Sequence, residues 1–283
     1  MSSRLQSLWK ARLAFRDGGE QVASASALTA PPSLNFPYRL FVPTHYEPHY
    51  DYPLVVWLHS DSSSEYELDP VMEALSVRNY IAIAPRGPRA TKKESRRFRW
   101  GTHIADLAIA EDLVMDAIAE VSQSLSIATD RVFVAGFGAG GSVAQWLSLR
   151  HPDRFAGGIS INGPFPKTRR ALSQWKGARR VPVLFMQGSD SKGCTVDDTI
   201  SAMQLAHSAG LQYQFLRFEL SELAETAEDL DSTGMDATAA ADSLDVEMLR
   251  AADRFMMGIV TGCDIPLVSP EPSPVSVTVF GDN

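Results

Sequence analysis

The sequence predicts an α/β protein organised around one doubly wound, mostly parallel β-sheet. Short apolar runs alternate with amphipathic helical patterns along most of the chain, an order of elements that builds a parallel sheet covered by helices on both faces. The runs are continuously apolar, as in the segment 54–58 (LVVWL), so the strands are expected to be buried on both sides. The chain has 283 residues, of which 45% are apolar and 21% charged, which suits one large globular domain.

Three regions are predicted along the chain. Residues 1–35 comprise a short amphipathic helix at 3–16 and a linker rich in Gly, Ala, Ser and Pro; the helix either docks on its own domain or touches a membrane or a partner. Residues 36–262 form the α/β domain. Residues 263–283 form a tail with four prolines, which is expected to be extended or disordered.

Within the domain, each element follows from its own pattern. The strand 36–42 alternates loosely and is predicted at an edge of the sheet. The other strands are apolar runs, predicted at 54–58, 80–84, 132–135, 155–161, 181–186 and 211–218. The helices show apolar residues three and four positions apart and are predicted at 65–77, 103–124, 140–150, 196–208 and 242–259. A long loop is predicted at 85–101.

Composition and charge exclude several classes of function. The two cysteines, Cys194 and Cys263, suffice for neither a disulfide framework nor a metal set. No His, Cys or carboxylate cluster has metal-ligand spacing, and the glycines at 136–141 lack the Lys-Ser/Thr continuation of a phosphate-binding loop, so no metal or cofactor is expected. No run approaches about 18 apolar residues, which predicts no transmembrane helix. The N-terminus lacks the apolar core of a secretory signal, which predicts a cytoplasmic protein. A net charge of −8 argues against nucleic acid as a partner.

A sharp strand-to-helix turn is the most distinctive local feature. In the segment 131–146 (RVFVAGFGAGGSVAQW), an apolar run ends in small residues and a helical pattern follows with no loop between them. Gly136 and Gly140 flank a central residue in the arrangement of a nucleophile elbow. That central residue is Gly138, which has no side chain with which to attack a carbonyl group.

Residues 36–262 resemble the α/β-hydrolase superfamily, and within it bacterial serine esterases of the phospholipase/carboxylesterase and polyhydroxybutyrate-depolymerase-like types. The resemblance rests on the order and spacing of several segments, namely 54–59, 84–88, Trp100, 131–146, 151–157 and 182–188. It implies a Ser, Asp and His triad in that chain order, together with backbone N–H groups that stabilise an oxyanion.

Each member of the implied triad departs from the pattern. The nucleophile position holds Gly138, and the nearest serine, Ser142, lies about one turn inside the following helix, roughly 5 Å too deep. The resemblance implies an acid three residues after Gly188, where the chain has Ser191. Asp190 is one residue early and is either a displaced acid or a solvated loop residue or helix cap. The histidine should follow the last strand, yet the last histidine in the chain is His207.

The loop implied to form the oxyanion site also departs. The family usually has glycine after the histidine that ends its strand, whereas this chain reads His59-Ser60-Asp61. Ala139 can still offer its N–H, but a carboxylate at Asp61 would oppose developing negative charge. His59 is interpreted as a hydrogen-bonded structural residue rather than a base. No catalytic set is therefore intact, and the vestigial positions are Gly138, Ala139, His59, Ser60 and Asp190.

A basic loop follows the second buried strand, on the side where α/β folds bind ligands. Its candidate ligand-binding residues are Arg86, Arg89, Arg96, Arg97 and Arg99. An acidic segment at 219–247 contains no Lys or Arg. Both regions are either solvated faces or neutralise each other within the chain; alternatively, the loop binds an anionic small molecule or an acidic segment of a partner protein.

Two functions remain open from the sequence. The first is a pseudo-hydrolase, in which the fold is used for binding or assembly. The second is an active carboxylester hydrolase with a rebuilt site, in which Ser60 or Ser142 works with His59 or His103. The second needs a nucleophile and a base within hydrogen-bonding distance, about 2.6–3.2 Å.

Overall fold

The computed structural model describes residues 28–29, 37–92, 96–165, 175–188, 193–219, 244–263 and 276–280. Eleven strands occur in this part of the chain: β1 (Leu28–Thr29), β2 (Tyr38–Phe41), β3 (Tyr52–Leu58), β4 (Ile81–Pro85), β5 (Arg89–Ala90), β6 (Phe98–Arg99), β7 (Ile127–Phe137), β8 (Gly157–Ile161), β9 (Val183–Gly188), β10 (Tyr213–Glu219) and β11 (Ser276–Phe280). The helices there are α1 (Leu68–Leu75), α2 (Ile104–Ser122), α3 (Ala139–Arg150), α4 (Trp175–Ala178), α5 (Val196–Ala209) and α6 (Val246–Thr261).

Nine of these strands form one sheet in the order β1-β2-β4-β3-β7-β8-β9-β10-β11. All neighbours from β4 to β10 in this order run parallel, and antiparallel pairs occur at both edges. The predicted doubly wound, mostly parallel sheet is confirmed. Because parallel strands end at the same side, the loops after β3, β4 and β7 meet at one edge of the sheet.

The two faces of the sheet carry separate apolar cores. On one face, α2 and α3 pack against β3, β4 and β7 through side chains such as Leu107, Val114 and Val143. On the other face, α1 and α6 pack through side chains such as Met72 and Met256. The strands between them are buried on both sides, which explains their continuously apolar sequences.

Three local predictions are corrected. The strand predicted at 36–42 as an edge strand is not at the edge, because β1 pairs outside it through Leu28 and Thr29, within the predicted linker. The predicted loop 85–101 contains the β5–β6 hairpin. The proline-rich tail contributes β11, which pairs antiparallel with β10. Two-residue strands and edge strands leave too little periodic pattern to be found from sequence.

The predicted N-terminal helix at 3–16, Asp190 and residues 220–243 of the acidic segment lie outside the described residues. In the part of the chain that the structure describes, no helix combines the length and apolar character needed to span a bilayer.

Candidate functional site

The centre of the site is the turn between β7 and α3. Gly138 joins the two elements with φ 57° and ψ −124°, a left-handed conformation that glycine adopts without strain. Its N–H donates to the carbonyl of Ile161 at 2.8 Å, and its carbonyl accepts the first helical hydrogen bond from Ser142 at 3.1 Å. The predicted strand-to-helix elbow is therefore present, and both backbone groups of Gly138 are hydrogen-bonded.

The small residues around the turn are required by close packing. A Cβ atom at Gly140 would lie 2.2 Å from the carbonyl oxygen of Leu58, at the end of β3. The start of α3 thus passes directly over the end of the neighbouring strand, and only glycine fits there. This contact places the loop after β3 beside the first turn of α3.

A carboxylate occupies the space beside the elbow. The N–H of Ala139, the first residue of α3, donates to Oδ2 of Asp61 at 3.3 Å. A Cβ atom at Gly138 would lie 3.4 Å from the same oxygen, with no other neighbour within 4 Å. Asp61 is exposed to solvent. The N–H that an esterase would present to an oxyanion is therefore directed at a negatively charged side chain.

The loop that carries Asp61 is held on both sides. Ser60 donates its hydroxyl to Glu67 at 2.6 Å, and Trp57 donates its indole N–H to the same carboxylate at 2.9 Å. On the C-terminal side of Asp61, the N–H of Phe98 donates to the carbonyl of Ser63 at 2.6 Å. These bonds fix the loop between β3 and the hairpin, so Asp61 is positioned by the fold.

His59 is buried and has both ring nitrogens engaged with backbone. Nδ1 donates to the carbonyl of Ser60 at 2.8 Å, and Nε2 accepts from the N–H of Gly87 at 2.9 Å. Burial lowers the pKa of His59, against the opposing effect of the Ser60 carbonyl and nearby carboxylates. The ring is thus a neutral link between two loops, with no lone pair left to accept a proton from a nucleophile.

The serines and histidines of the rebuilt-site alternative do not meet in this geometry. Ser142 is buried and donates its hydroxyl to the carbonyl of Pro164 at 2.6 Å. The hydroxyl of Ser60 donates to Glu67 instead of a ring nitrogen. His103 is exposed at the N-cap of α2. Among the described residues, no hydrogen bond joins either serine hydroxyl to either of these histidines.

The expected acid and base positions lie at the ends of β9 and β10. Gly188 ends β9, and its N–H donates to Asn162 Oδ1 at 2.8 Å; Asp190 falls beyond the described residues. After β10 the sequence contains no histidine, since the last one, His207, is exposed on α5. Within the described ranges, no group of three or more His, Cys, Asp and Glu side chains is arranged to hold a metal ion.

Two of the five candidate arginines of the basic loop are engaged with buried acids. Arg86 forms a two-pronged ion pair with Glu65 and lies 4.5 Å from the ring centre of Phe98. Arg89 pairs with Asp106, in the first turn of α2. Arg96, Arg97 and Arg99 are exposed.

Sequence reasoning missed Glu65 and Asp106 as these partners. Each acid is almost fully buried, so its charge requires the arginine. The available signal was the position of each acid at the start of a helical pattern, where carboxylates are favoured.

Comparison with known proteins supports a relationship to esterases. No known family model matches the chain. The carboxylesterase SOBER1 of Arabidopsis thaliana is 26% identical over 121 residues, which cover 42% of this chain and 53% of that protein. The match thus spans about half the length of this relative. In structure, SOBER1 superimposes with a TM-score of 0.56 at 18% identity, covering 74% of this chain and 99% of SOBER1.

A second solved structure, a phospholipase/carboxylesterase from Dyadobacter fermentans, has a TM-score of 0.51 at 15% identity and covers 69% of this chain and 90% of that chain. The sheet, its elbow and these likenesses define the α/β-hydrolase fold. Within that fold, 121 residues of the chain are similar in sequence to one carboxylesterase, SOBER1.

Proposed function

We propose that this protein is a pseudo-hydrolase, an α/β-hydrolase-fold protein that binds or assembles with a partner and does not hydrolyse esters. The observation that carries the proposal is the Asp61 carboxylate on the N–H of Ala139, above a Gly138 that has no hydroxyl. The absence of any histidine after His207 supports it, because a serine introduced at the elbow would have no general base.

The test is hydrolysis of short-chain p-nitrophenyl esters by the purified full chain. Wild type and Gly138→Ser are both expected to match the rate without protein, since neither has a base. A matched control is SOBER1 purified and assayed in parallel, which checks that the substrates suit carboxylesterases of this fold. Turnover by wild type that a substitution at Ser60, Asp61 or Ser142 abolishes would overturn the proposal.

The second candidate is an active carboxylester hydrolase with a rebuilt site. The observation that favours it is the sequence similarity to a carboxylesterase. It requires the Ser60 hydroxyl to leave Glu67, or the Ser142 hydroxyl to leave Pro164, and a base to reach it. Ser60→Ala and Ser142→Ala separate the two nucleophiles in the same assay.

A further inference from the structure

The outward side of α2 begins with two apolar turns. Between residues 104 and 109 the exposed positions are all apolar, namely Ile104, Ala105, Ala108 and Ile109. The two isoleucines are 48% and 45% exposed. A surface helix normally presents polar residues to water, so this stretch is suited to contact with another molecule.

The β5–β6 hairpin lies against the same two turns. Arg89 of β5 pairs with Asp106 in the first turn of α2, and Arg89 is the cross-strand neighbour of Arg99 on β6. The side chain of Arg99 shares the hairpin face of Arg89 and therefore lies toward the first turn of α2, and Arg96 is a second exposed arginine that precedes β6. We call the six exposed residues together the hairpin–helix surface: Arg96, Arg99, Ile104, Ala105, Ala108 and Ile109.

This surface is preformed. Arg86 stacks on Phe98 of β6 and pairs with the buried Glu65, which fastens the hairpin to the segment preceding α1. Leu107, on the opposite side of α2, is fully buried in the core. A partner would bind to β6 and the start of α2 in the positions that the fold already gives them, which lowers the entropy cost of association.

The charged residues of this region are unevenly distributed along α2, with basic residues near its start and acidic residues further along it. Arg99 is the cross-strand neighbour of Arg89, which reaches the first turn of α2, and the next exposed charged residues along the helix are Asp112 and Asp116. The surface therefore runs from basic through apolar to acidic over roughly 20 Å. An anionic membrane would attract the first part and be repelled by the last, whereas a peptide with matching order would be favoured throughout.

We infer that the hairpin–helix surface binds an amphipathic segment of another protein, acidic at one end and apolar along its middle. Its acids would lie on Arg96 and Arg99, and its apolar residues would cover Ile104 and Ile109. Amphipathic segments commonly dock on apolar surfaces in this way, with charges that set their orientation. The inference deepens the proposed binding function and rests on it.

The test uses a fluorescein-labelled synthetic peptide of about 16 residues, with glutamates in its first turn and leucines at helical spacing after them. Two comparison peptides carry lysines in place of the glutamates or serines in place of the leucines. Fluorescence anisotropy with the full chain should show the first peptide binding at least about tenfold more tightly than either comparison peptide. Equal binding of all three would overturn the inference.

Matched variants locate the binding surface. Arg99→Glu and Ile109→Ser should each weaken binding of the acidic peptide by about fivefold or more. The controls Lys176→Glu and Ile200→Ser make the same charge reversal and the same loss of an apolar side chain at other exposed positions and should leave binding unchanged. If all four variants bind alike, the site lies elsewhere and the inference fails.

A vesicle sedimentation assay distinguishes binding to a peptide from binding to a membrane. An ester hydrolysis assay on the same preparation distinguishes failure of this inference from failure of the proposed function. Sedimentation with vesicles of equal parts phosphatidylcholine and phosphatidylserine should leave the protein in solution. Pelleting that Arg99→Glu abolishes would assign the surface to a membrane and overturn the inference. Ester hydrolysis by the same preparation would contradict the proposed function. If the protein neither hydrolyses esters nor binds the acidic peptide, only the inference about the hairpin–helix surface is contradicted.

Discussion

The Oδ2 atom of Asp61 lies 3.3 Å from the backbone nitrogen of Ala139, at the first residue of α3. In an esterase of this fold, that N–H must be free to stabilise an oxyanion. An oxyanion about 4 Å from this carboxylate would be repelled by about 4 kcal/mol at the effective dielectric of a protein surface. The contact satisfies the N-terminus of a helix, and under the proposed function it also opposes hydrolysis.

Asp61→Asn should weaken that helix N-terminus. A carboxylate at a helix N-terminus contributes about 0.5 kcal/mol at an exposed site, so the free energy of unfolding should fall by about this amount and the loss should shrink in high salt. Urea unfolding at low and high salt measures it. Asp112→Asn, an exposed acid in the middle of α2, is the control and should change little. A gain in stability for Asp61→Asn would show that the contact is unfavourable.

Gly138→Ala should destabilise the protein through the backbone. With φ 57° and ψ −124° at this residue, a side chain introduces strain of about 1–3 kcal/mol. Gly193→Ala is the matched control, because a Cβ there would meet nothing within 4 Å. Equal unfolding midpoints in urea for the two variants would contradict the strained geometry of the elbow.

Arg86→Ala should be among the most damaging single substitutions on the basic loop. Its partner Glu65 is only 3% exposed, so removing Arg86 strands a buried charge; because Arg86 is 30% exposed, the cost should lie at or below the low end of the about 3–5 kcal/mol found for fully buried pairs. Arg250→Ala, which breaks a surface pair with Glu247, should cost less than about 1 kcal/mol. Denaturant unfolding of both variants compares them. Adding Glu65→Gln to Arg86→Ala should recover part of the lost free energy of unfolding, because it removes the unpaired charge. If nothing is recovered, an unpaired Glu65 charge is not the cause of the loss.

His59 should make stability fall as the pH falls. Burial lowers the pKa of His59 from 6.5 in the folded protein, so below about pH 6.5 the unfolded chain binds a proton that the folded chain does not. The free energy of unfolding should then drop by up to about 1.4 kcal/mol per pH unit until the lowered pKa is reached.

Urea unfolding at about pH 7.5 and about pH 5.5 tests this dependence, with the reference pKa of histidine between the two values. His59→Gln should reduce the difference between the two conditions, while His103→Gln, at an exposed position, should leave it as in wild type. The same pH dependence in wild type and His59→Gln would show that His59 does not carry it.

Much of the fold could be predicted because its signals are local. Continuous apolar runs revealed β3 and β4, and helical spacing revealed α2. The elbow could be placed to the residue because the close approach of Gly140 to Leu58 restricts that position to glycine and the left-handed φ of Gly138 favours glycine.

The site could be predicted only in part, because its contacts join distant residues. The charge of Asp61 was evident from sequence, but its contact with Ala139 depends on how β3 and β7 pair. The pairing of Arg86 with Glu65 and of Arg89 with Asp106 likewise depends on where the hairpin folds back. The unusual residues could therefore be identified from the sequence, whereas the structure was needed to find the residues they contact.

The most direct measurement is the intact mass of the wild-type protein after incubation with a fluorophosphonate, which forms a covalent bond with an activated serine. The pseudo-hydrolase account predicts an unmodified mass, with SOBER1 treated in parallel as the positive control. A stoichiometric adduct that maps to Ser60 or Ser142 would contradict the account, because it would demonstrate an activated nucleophile beside the elbow.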